Sequence, residues 1–232
     1  MIKTYRNITM NDGSSTYQDR IRLKVCGLTQ LNQIDELISM NTDFLGFIFY
    51  EKSPRYVLNH LNLKDISKIN SERKVGVFVN ESVAQIIEIS KKGKLNFIQL
   101  HGDEDEHFIL ELRKNLNPEI KIIKVIRIGS GRADAGNDVQ QILNRQPATI
   151  DYLLFDTDSK AFGGTGTRFD WNVLNTIEIP LPYFLSGGIS EENIHQINIL
   201  RQKPMAIDIN SKFEIEAGIK DIDKVKKLMN LM

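Results

Sequence analysis

The feature that most constrains the fold of this chain is a regular alternation of short apolar runs with amphipathic stretches. Eight runs are rich in β-branched and aromatic residues, and each is short enough to be one β-strand. They occupy residues 21–26, 44–49, 74–79, 97–100, 122–128, 152–155, 183–185 and 205–209. Each run is followed by a segment that can form a helix. Strict alternation of strand and helix predicts parallel strands joined by helical crossovers.

The stretches between the runs carry apolar residues at helical spacing. The first presents a stripe formed by Leu31, Ile34, Leu37 and Ile38, and the last a stripe formed by Ile222, Val225, Leu228 and Met229. Asp103 and Glu106 have the spacing of a capping box before Phe108, which predicts the start of a helix there. The weakest of the predicted helices lies around residues 139–143, after a glycine-rich loop.

Eight strand–helix units favour a closed (β/α)8 TIM barrel of parallel strands. Such barrels commonly form one domain of about 200–250 residues, and this chain has 232. An open doubly wound sheet is the alternative, but such sheets often have fewer strands, and no G-x-G-x-x-G pattern follows the first run. We therefore predict a single α/β barrel over residues 21–232, preceded by a loosely ordered N-terminal extension over residues 1–20.

The composition narrows the partners and the compartment. Lysine plus arginine and aspartate plus glutamate number 30 each, so the charge gives no reason to expect nucleic acid or a membrane surface as a partner. Cys26 is the only cysteine, which is typical of a reducing compartment. No apolar run reaches the about 18 residues of a membrane span, and residues 1–20 lack the apolar centre of a signal peptide. We expect a cytoplasmic protein that acts as a monomer or homodimer.

In a barrel of this kind, chemistry belongs at the carboxyl ends of the strands. The candidate residues at these ends are Cys26, Asp156, Gly187, Gly188, Asp208, Asn210 and Ser211. A thiolate can abstract a proton, and a carboxylic acid can donate one. The backbone N–H groups of the glycine pair and of Ser211 can hold a phosphate, which such barrels often bind after strands seven and eight.

Each of these residues also has a structural interpretation. A lone cysteine is more often a buried apolar residue than a base. Asp156 can simply cap a loop, and the glycine pair can form an ordinary turn between a strand and a helix. The residues alone leave both interpretations open, although their occurrence together at four strand ends favours the functional one.

An ordered series of short motifs extends this pattern along the chain. The motifs are KVCGLT at 24–29, GFIF at 46–49, SPRYV at 53–57, VGVFV at 75–79, QLHG at 99–102, LFDT at 154–157, GGTG at 163–166, FDW at 169–171, LSGGI at 185–189 and DINS at 208–211. In this order they resemble the phosphoribosylanthranilate isomerase family. The resemblance covers residues 21–232, nearly the whole predicted barrel.

The resemblance implies an enzyme of tryptophan biosynthesis. Its substrate would be N-(5-phosphoribosyl)anthranilate, a phosphorylated aminosugar, converted by an Amadori rearrangement to 1-(2-carboxyphenylamino)-1-deoxyribulose 5-phosphate. The resemblance implies that no cofactor and no metal are needed. The sequence agrees, because none of its His, Cys and Asp residues form a cluster with metal-ligand spacing.

The family's roles carry over to individual residues. Asp156 resembles the general acid that protonates the furanose ring oxygen, and Cys26 resembles the general base that removes the C2′ proton. Arg55 resembles the residue that holds the anthranilate carboxylate, a planar group that suits a guanidinium fork. A surface ion pair is the alternative for this arginine. The other substrate-binding positions implied are Gly187, Gly188, Asp208, Asn210 and Ser211.

Several positions stay open. The loop over residues 159–168 either closes over the substrate or is a plain connection. His101 either contacts the substrate or packs in the barrel. Three features depart from the family: residues 1–20 precede the first strand, Thr167 stands where lysine is common, and Lys212 stands where glycine is usual. Because glycine permits a positive φ, Lys212 puts the backbone geometry at that position in question.

Two other functions remain alternatives at this point. A barrel resembling indole-glycerol-phosphate synthase would share the phosphate loops but needs a catalytic lysine and glutamate at strand ends. Lys24 and Lys124 lie along strands, and no matching glutamate follows. A non-catalytic binding barrel would keep the phosphate loops and lose the acid or the base. Both Cys26 and Asp156 are present, which favours an enzyme.

Overall fold

The computed structural model of the protein describes residues 20–129, 135–158 and 169–232. The predicted N-terminal extension, apart from its last residue, Arg20, lies outside the described residues. So does the predicted substrate loop over residues 159–168, together with Thr167.

Eight parallel strands form a closed barrel in chain order. They are β1 (Arg22–Val25), β2 (Phe44–Ile48), β3 (Lys74–Phe78), β4 (Phe97–Leu100), β5 (Lys121–Ile128), β6 (Tyr152–Thr157), β7 (Tyr183–Leu185) and β8 (Ala206–Ile209). The barrel closes where β8 pairs with β1, from Arg22 opposite Ala206 to Val25 opposite Ile209. The predicted barrel is confirmed, and the open sheet is excluded.

Helices connect most of these strands around the outside of the barrel. They are α1 (Leu31–Ser39), α2 (Leu63–Lys68), α3 (Val83–Gly93), α4 (Glu106–Asn115), α5 (Ala135–Asn144) and α6 (Ile222–Leu231). The weakest predicted helix is confirmed as α5. After β6 and β7, where helices were expected, the structure has the short 3-10 helices Trp171–Thr176 and Ile194–Ile199. Both are rich in Asn and β-branched residues, which have low helix propensity. In the described part of the chain, no helix is long and apolar enough to cross a membrane.

The start of α4 corrects one prediction. The residue that caps the helix is Asp105, whose side chain accepts a hydrogen bond from the backbone N–H of Phe108 at 2.8 Å. Asp103 precedes the helix; its backbone N–H donates to Asn80 Oδ1 at 2.7 Å, and its carboxylate pairs with Arg127. The predicted capping box was therefore wrong by two residues, because the sequence alone does not show which of two nearby aspartates is already bound elsewhere.

Side chains alternate along each strand between the barrel interior and the helical layer. The interior is filled by Phe44, Val75, Ile123, Val125, Leu154, Phe184 and Ala206. Phe44 packs edge-to-face on Phe97 and Phe184, with ring centroids 5.4 and 5.1 Å apart. This apolar plug means that solvent and ligands can reach the interior only at the ends of the barrel.

A short antiparallel hairpin follows β8 and was not predicted. Its strands are β9 (Glu214–Glu216) and β10 (Ile219–Lys220), and Gly218 between them has a φ of +86°. Thr29 Oγ1 donates to the carbonyl of Gly218 at 2.7 Å, and the N–H of Lys220 donates to Gln33 Oε1 at 2.8 Å. These bonds fix the hairpin against the segment that follows β1.

Candidate active site

The carboxyl ends of the strands bring most of the predicted site residues to one opening of the barrel. Cys26 directly follows β1, and its N–H donates to the carbonyl of Ile209 at 2.9 Å, which holds it beside β8. Asp208 lies on β8 opposite Lys24, and Asp156 lies near the end of β6. Asp208 links the two residues electrostatically, because it raises the pKa of Cys26 and its own pKa is raised by Asp156.

Cys26 is buried in a tightly packed place, with 5% of its surface exposed. A Cβ built on Gly46 of β2 would lie 2.9 Å from its Sγ, so a side chain at position 46 would displace the thiol. Burial raises the pKa of the Cys26 thiol, and Asp208 raises it further, while Lys24 and Lys220 lower it. The net shift is upward. The thiol is therefore protonated near neutral pH, and its thiolate is a stronger base than that of an exposed cysteine.

Below the thiol, Lys24 and Asp208 form a buried ion pair. Lys24 Nζ donates to Asp208 Oδ2 at 2.7 Å, and neither side chain is more than 6% exposed. Burial raises the pKa of Asp208, and Lys24 opposes the shift. Among the described residues, the second oxygen, Oδ1, has no hydrogen-bond partner. This buried acceptor is available to a hydroxyl group of a bound ligand.

Asp156 has one oxygen bound by the backbone of the next residue and one that lies near a histidine. Oδ1 accepts a hydrogen bond from the N–H of Thr157 at 2.8 Å, and Oδ2 lies 3.4 Å from His101 Nε2. Gln99 Nε2 lies 3.1 Å from the other ring nitrogen of His101. With that amide nitrogen donating, the ring hydrogen of a neutral His101 sits on Nε2, the ring nitrogen nearer to Asp156. The sequence left open whether His101 contacts the substrate or packs in the barrel, and the structure places it beside the candidate acid.

The glycine pair after β7 has a conformation that favours glycine. The φ angles of Gly187 and Gly188 are +83° and +73°. A Cβ on Gly187 would lie 2.4 Å from Thr157 Oγ1 and 3.2 Å from Asp156 Oδ1. Asn193, which the sequence did not single out, braces the loop, since its side chain donates to the carbonyl of Gly188 at 2.8 Å. The loop therefore approaches the end of β6 closely enough to exclude a side chain.

Asn210 and Ser211 follow β8, where Ser211 begins the short 3-10 helix Ser211–Phe213. Lys212 lies in this helix and is not among the described non-glycine residues with positive φ. Its replacement of the family's usual glycine therefore strains no backbone. The Glu192 carboxylate, whose pKa is lowered first by a hydrogen bond from Ser190, also feels the charge of Lys212. That influence places the Lys212 charge near the loop that follows β7.

Arg55 forms a buried ion pair and is not a surface arginine. Its Nε lies 2.9 Å from both carboxylate oxygens of Glu214, and its Nη2 donates to Oε2 at 2.6 Å. The two side chains are 13% and 3% exposed. A Cβ on Gly27 would lie 2.8 Å from Arg55 Cδ, so the arginine passes directly over the residue after Cys26. Glu214 belongs to the hairpin that was not predicted, so no sequence pattern indicated this partner.

A metal centre is not apparent in this opening. Within residues 20–129, 135–158 and 169–232, no group of three or more His, Cys, Asp or Glu side chains could hold a metal ion. The groups that the described chain offers are a thiol, carboxyls, an imidazole and paired cations. They are suited to proton transfer on a bound anion.

Comparisons with known proteins agree with this geometry. The family model for N-(5′-phosphoribosyl)anthranilate (PRA) isomerase matches residues 23–231. A Parabacteroides distasonis protein named N-(5′-phosphoribosyl)anthranilate isomerase is 36% identical over 211 residues, which are 89% of this chain and 91% of the relative. The Staphylococcus aureus protein of the same name is 34% identical over 217 residues, covering 91% of this chain and 97% of the relative.

Solved structures are similar over the same range. The phosphoribosyl anthranilate isomerase of Thermotoga maritima has a TM-score of 0.70 and 30% identity, and the match covers 91% of this chain and 98% of that one. An isomerase in complex with reduced 1-(o-carboxyphenylamino)-1-deoxyribulose 5-phosphate has a TM-score of 0.67 and 28% identity, covering 91% and 97%. A mutant tryptophan synthase α-subunit from Pyrococcus furiosus shares only the fold, with a TM-score of 0.61 at 13% identity.

Proposed function

This chain belongs to the N-(5′-phosphoribosyl)anthranilate isomerase family, and from that membership we propose that Cys26 and Asp156 are the general base and the general acid of its reaction. The reaction is the Amadori rearrangement of N-(5′-phosphoribosyl)anthranilate to 1-(2-carboxyphenylamino)-1-deoxyribulose 5-phosphate, a step of tryptophan biosynthesis. The observation that supports these roles is the placement of a buried thiol and a carboxyl at one opening of the barrel, around the shared neighbour Asp208.

Asp156 opens the sugar ring in the first step. Its Oδ1 is occupied by the Thr157 N–H, so Oδ2 is the oxygen that delivers the proton. Protonation of the furanose ring oxygen breaks the bond between that oxygen and C1′. The lone pair of the substrate nitrogen then forms the C1′=N bond of a protonated Schiff base. His101 Nε2 lies 3.4 Å from Oδ2, close enough to influence the carboxyl during this transfer.

Cys26 removes the C2′ proton in the second step. Its thiolate takes the proton, and the electrons of the C2′–H bond form a C1′=C2′ bond while the Schiff base nitrogen becomes an amine. The resulting enolamine tautomerises to the ketone. Asp156 has lost one proton and Cys26 has gained one, so exchange with solvent returns both groups to their starting states. The unpartnered Oδ1 of Asp208 is placed to accept a hydrogen bond from a sugar hydroxyl.

Turnover of the purified protein on freshly generated substrate tests this function. We expect conversion to the ketose without any added cofactor or metal. Substrate that stays unchanged in the presence of folded protein would contradict the proposal. Formation of an indole from separately supplied ketose, with the aminoaldose left unchanged, would instead favour the synthase alternative.

The Arg55 guanidinium is proposed to hold the anthranilate carboxylate. Arg55→Ala is expected to weaken substrate binding by about 2–5 kcal/mol with a smaller effect on kcat, because a buried anion loses its partner. The fold should survive, since Glu214 keeps hydrogen bonds from Lys220 and from the N–H of Gly218. The measurement is KM from steady-state turnover of each variant.

Two controls sharpen this test. Arg73 pairs with Asp43 and is 43% exposed, so Arg73→Ala should leave KM unchanged. An aniline-derived substrate without the carboxylate should bind wild type and Arg55→Ala equally. A normal KM for the natural substrate in Arg55→Ala would remove Arg55 from substrate binding.

The substrate phosphate is proposed to bind at Gly187, Gly188 and Ser211. Inorganic phosphate should therefore compete with the substrate, and Gly187→Ala should weaken this inhibition. The alanine would have to adopt a φ near +83° against Thr157, at a cost of about 1–2 kcal/mol for the left-handed conformation alone. The measurements are the inhibition constant of phosphate and the free energy of unfolding.

A glycine that tolerates a side chain provides the control for this substitution. Gly93 lies in α3, and the atoms nearest to a Cβ there would be 3.6 Å away, an ordinary contact. Gly93→Ala should leave phosphate inhibition unchanged. Equal inhibition constants in Gly187→Ala and wild type would place the phosphate elsewhere.

We also propose that the enzyme acts in the cytoplasm as a monomer or homodimer. Its single cysteine supports a reducing compartment. One of the solved Thermotoga maritima structures is of monomers generated from a dimeric isomerase, which supports both assembly states for a barrel of this kind.

A further inference from the structure

The hairpin after β8 carries a buried lysine that takes no part in the proton-transfer steps proposed above. Lys220 on β10 is 1% exposed as a residue, and its side chain is fully buried. Its Nζ donates to Glu214 Oε1 at 2.6 Å and to Asn210 Oδ1 at 2.9 Å. Burying an ammonium group costs free energy unless an oppositely charged partner and hydrogen bonds compensate for the lost hydration.

The charge of Lys220 is only partly matched. Glu214 accepts hydrogen bonds from both Arg55 and Lys220, so two cations share one carboxylate. The neighbouring pair of Lys24 and Asp208 is balanced one to one. With a neutral thiol at Cys26, these five charged side chains therefore carry one surplus positive charge. A thiolate at Cys26 would bring their sum to zero.

The surplus charge reaches the residue that follows the thiol through Asn210. Asn210, which accepts from Lys220, has its Oδ1 2.7 Å from the Cβ position of Gly27, the residue after Cys26. Burial lowers the pKa of Lys220, and Glu214 and then Cys26 oppose that shift. Lys220 in turn lowers the pKa of the thiol. The ammonium and the thiolate therefore stabilise one another across the junction of β1, β8 and the hairpin.

We propose that Lys220 is a positioning residue of this isomerase: its buried ammonium, held by Glu214 and Asn210, stabilises the thiolate form of Cys26 and so supplies the base for the second proton transfer. The proposal rests on the role of Cys26 proposed above. It also gives the hairpin a function, since β9 and β10 carry both the lysine and the carboxylate that orients it.

The charged groups around Cys26 come from every element at this side of the opening. Lys24 lies on β1 itself, Asp208 on β8 and Lys220 on β10, and Arg55 passes over Gly27. Across the opening, the charges of Asp156 and His101 act on Asp208. Lys24 lowers the pKa of the thiol more than Lys220 does, partly through a hydrogen bond to Cys26, but its charge is matched by Asp208. Lys220 belongs instead to the group of side chains that carries the surplus positive charge.

Titration of the thiol without substrate tests the proposal. Since Cys26 is the only cysteine, the pH dependence of thiolate ultraviolet absorbance, with Cys26→Ala as the blank, reports this one group. Lys220→Met, which keeps the apolar stem, should raise the thiol pKa by about one unit, a tenfold loss of thiolate at a given pH below it. Lys220→Gln, which keeps a hydrogen-bond donor without charge, should do the same. Lys220→Arg should restore most of the wild-type titration.

The matched control is another buried lysine at the other end of the barrel. Lys74 begins β3 and donates to the carbonyls of Ile66 and Ile69, so Lys74→Met removes a buried charge far from Cys26 and should leave the thiol titration unchanged. An unshifted titration in both Lys220→Met and Lys220→Gln would overturn the proposal. An equal shift in Lys74→Met would also overturn it. Failure of the proposed function would appear separately, as absent turnover in the wild-type enzyme.

Discussion

Replacing Cys26 with alanine is expected to lower kcat by about 10²–10⁴-fold while changing KM much less. The thiolate is the group that takes the C2′ proton, and alanine offers no acceptor in its place. The substitution removes one buried sulfur atom from a pocket bounded by Gly46, so the barrel should still fold. Steady-state turnover, with circular dichroism to show that the variant is folded, is the measurement.

Cys26→Ser provides the sharper comparison. Serine keeps the size and the polarity of the side chain, but its hydroxyl is a far weaker acid than a thiol and does not supply the anionic base. We expect its kcat to fall nearly as far as that of alanine. Near-wild-type kcat in Cys26→Ala would contradict the assigned role, and high activity in Cys26→Ser would show that the position needs only a polar group.

The pH dependence of the wild-type enzyme follows from the same group. The thiol must lose its proton before it can act as a base, and burial raises its pKa above the ordinary cysteine value. The reaction needs the Cys26 thiolate and the protonated carboxyl of Asp156 at the same time. The value of kcat/KM should therefore have a bell-shaped pH profile, which falls at low pH as the thiolate is lost and at high pH as the acid is lost. In Lys220→Met the rising limb should move to still higher pH.

The barrel can be predicted from the sequence because the patterns of strand and helix are local and recur eight times. Each apolar run has the composition of a buried strand, and eight of them in alternation leave few topologies. Once the barrel is established, the carboxyl ends of the strands are known, and Cys26, Asp156 and Asp208 can be picked out from their positions. The structure places these three in one opening, although their roles remain predictions until variants are measured.

The hairpin and its charges could not be predicted in the same way. The strands β9 and β10 have three and two residues, too few to show an alternating pattern. The partnership of Arg55 with Glu214 joins residues 159 positions apart, and no local pattern records such a contact. In the sequence, Lys220 is not distinguished from the other lysine and arginine residues, which number 30 together. Only the fold shows that it is buried.

Burial also changes what these charged residues mean for stability. Each buried ion is costly to remove from water, and the loss of one partner of a buried pair commonly costs about 3–5 kcal/mol, because the other charge is left unmatched. The opening holds Lys24 with Asp208, and Glu214 with Arg55 and Lys220. We infer that these pairs hold the thiol and the substrate-binding arginine in fixed geometry and that this arrangement serves catalysis more than stability.

Asp156→Asn is the second substitution with a large expected effect, again about 10²–10⁴-fold on kcat with a smaller change in KM. Asparagine has nearly the same shape and can still accept the Thr157 N–H, but it has no carboxyl proton to give to the ring oxygen. Asp158→Asn is the matched control: it makes the same chemical change two residues later, at an exposed side chain. It should leave kcat within about twofold of wild type, as is usual for exposed positions away from a site.

The double variant Cys26→Ala/Asp156→Asn decides whether the two residues work as one unit. If ring opening and proton removal belong to one sequence of steps on one bound sugar, the double variant should be little slower than the slower single variant, because residues that act together lose their effects together. Losses that multiply would indicate independent contributions to separate processes. A wild-type rate in Asp156→Asn would remove the carboxyl from the mechanism and leave His101, the imidazole beside it, as the next candidate for the acid.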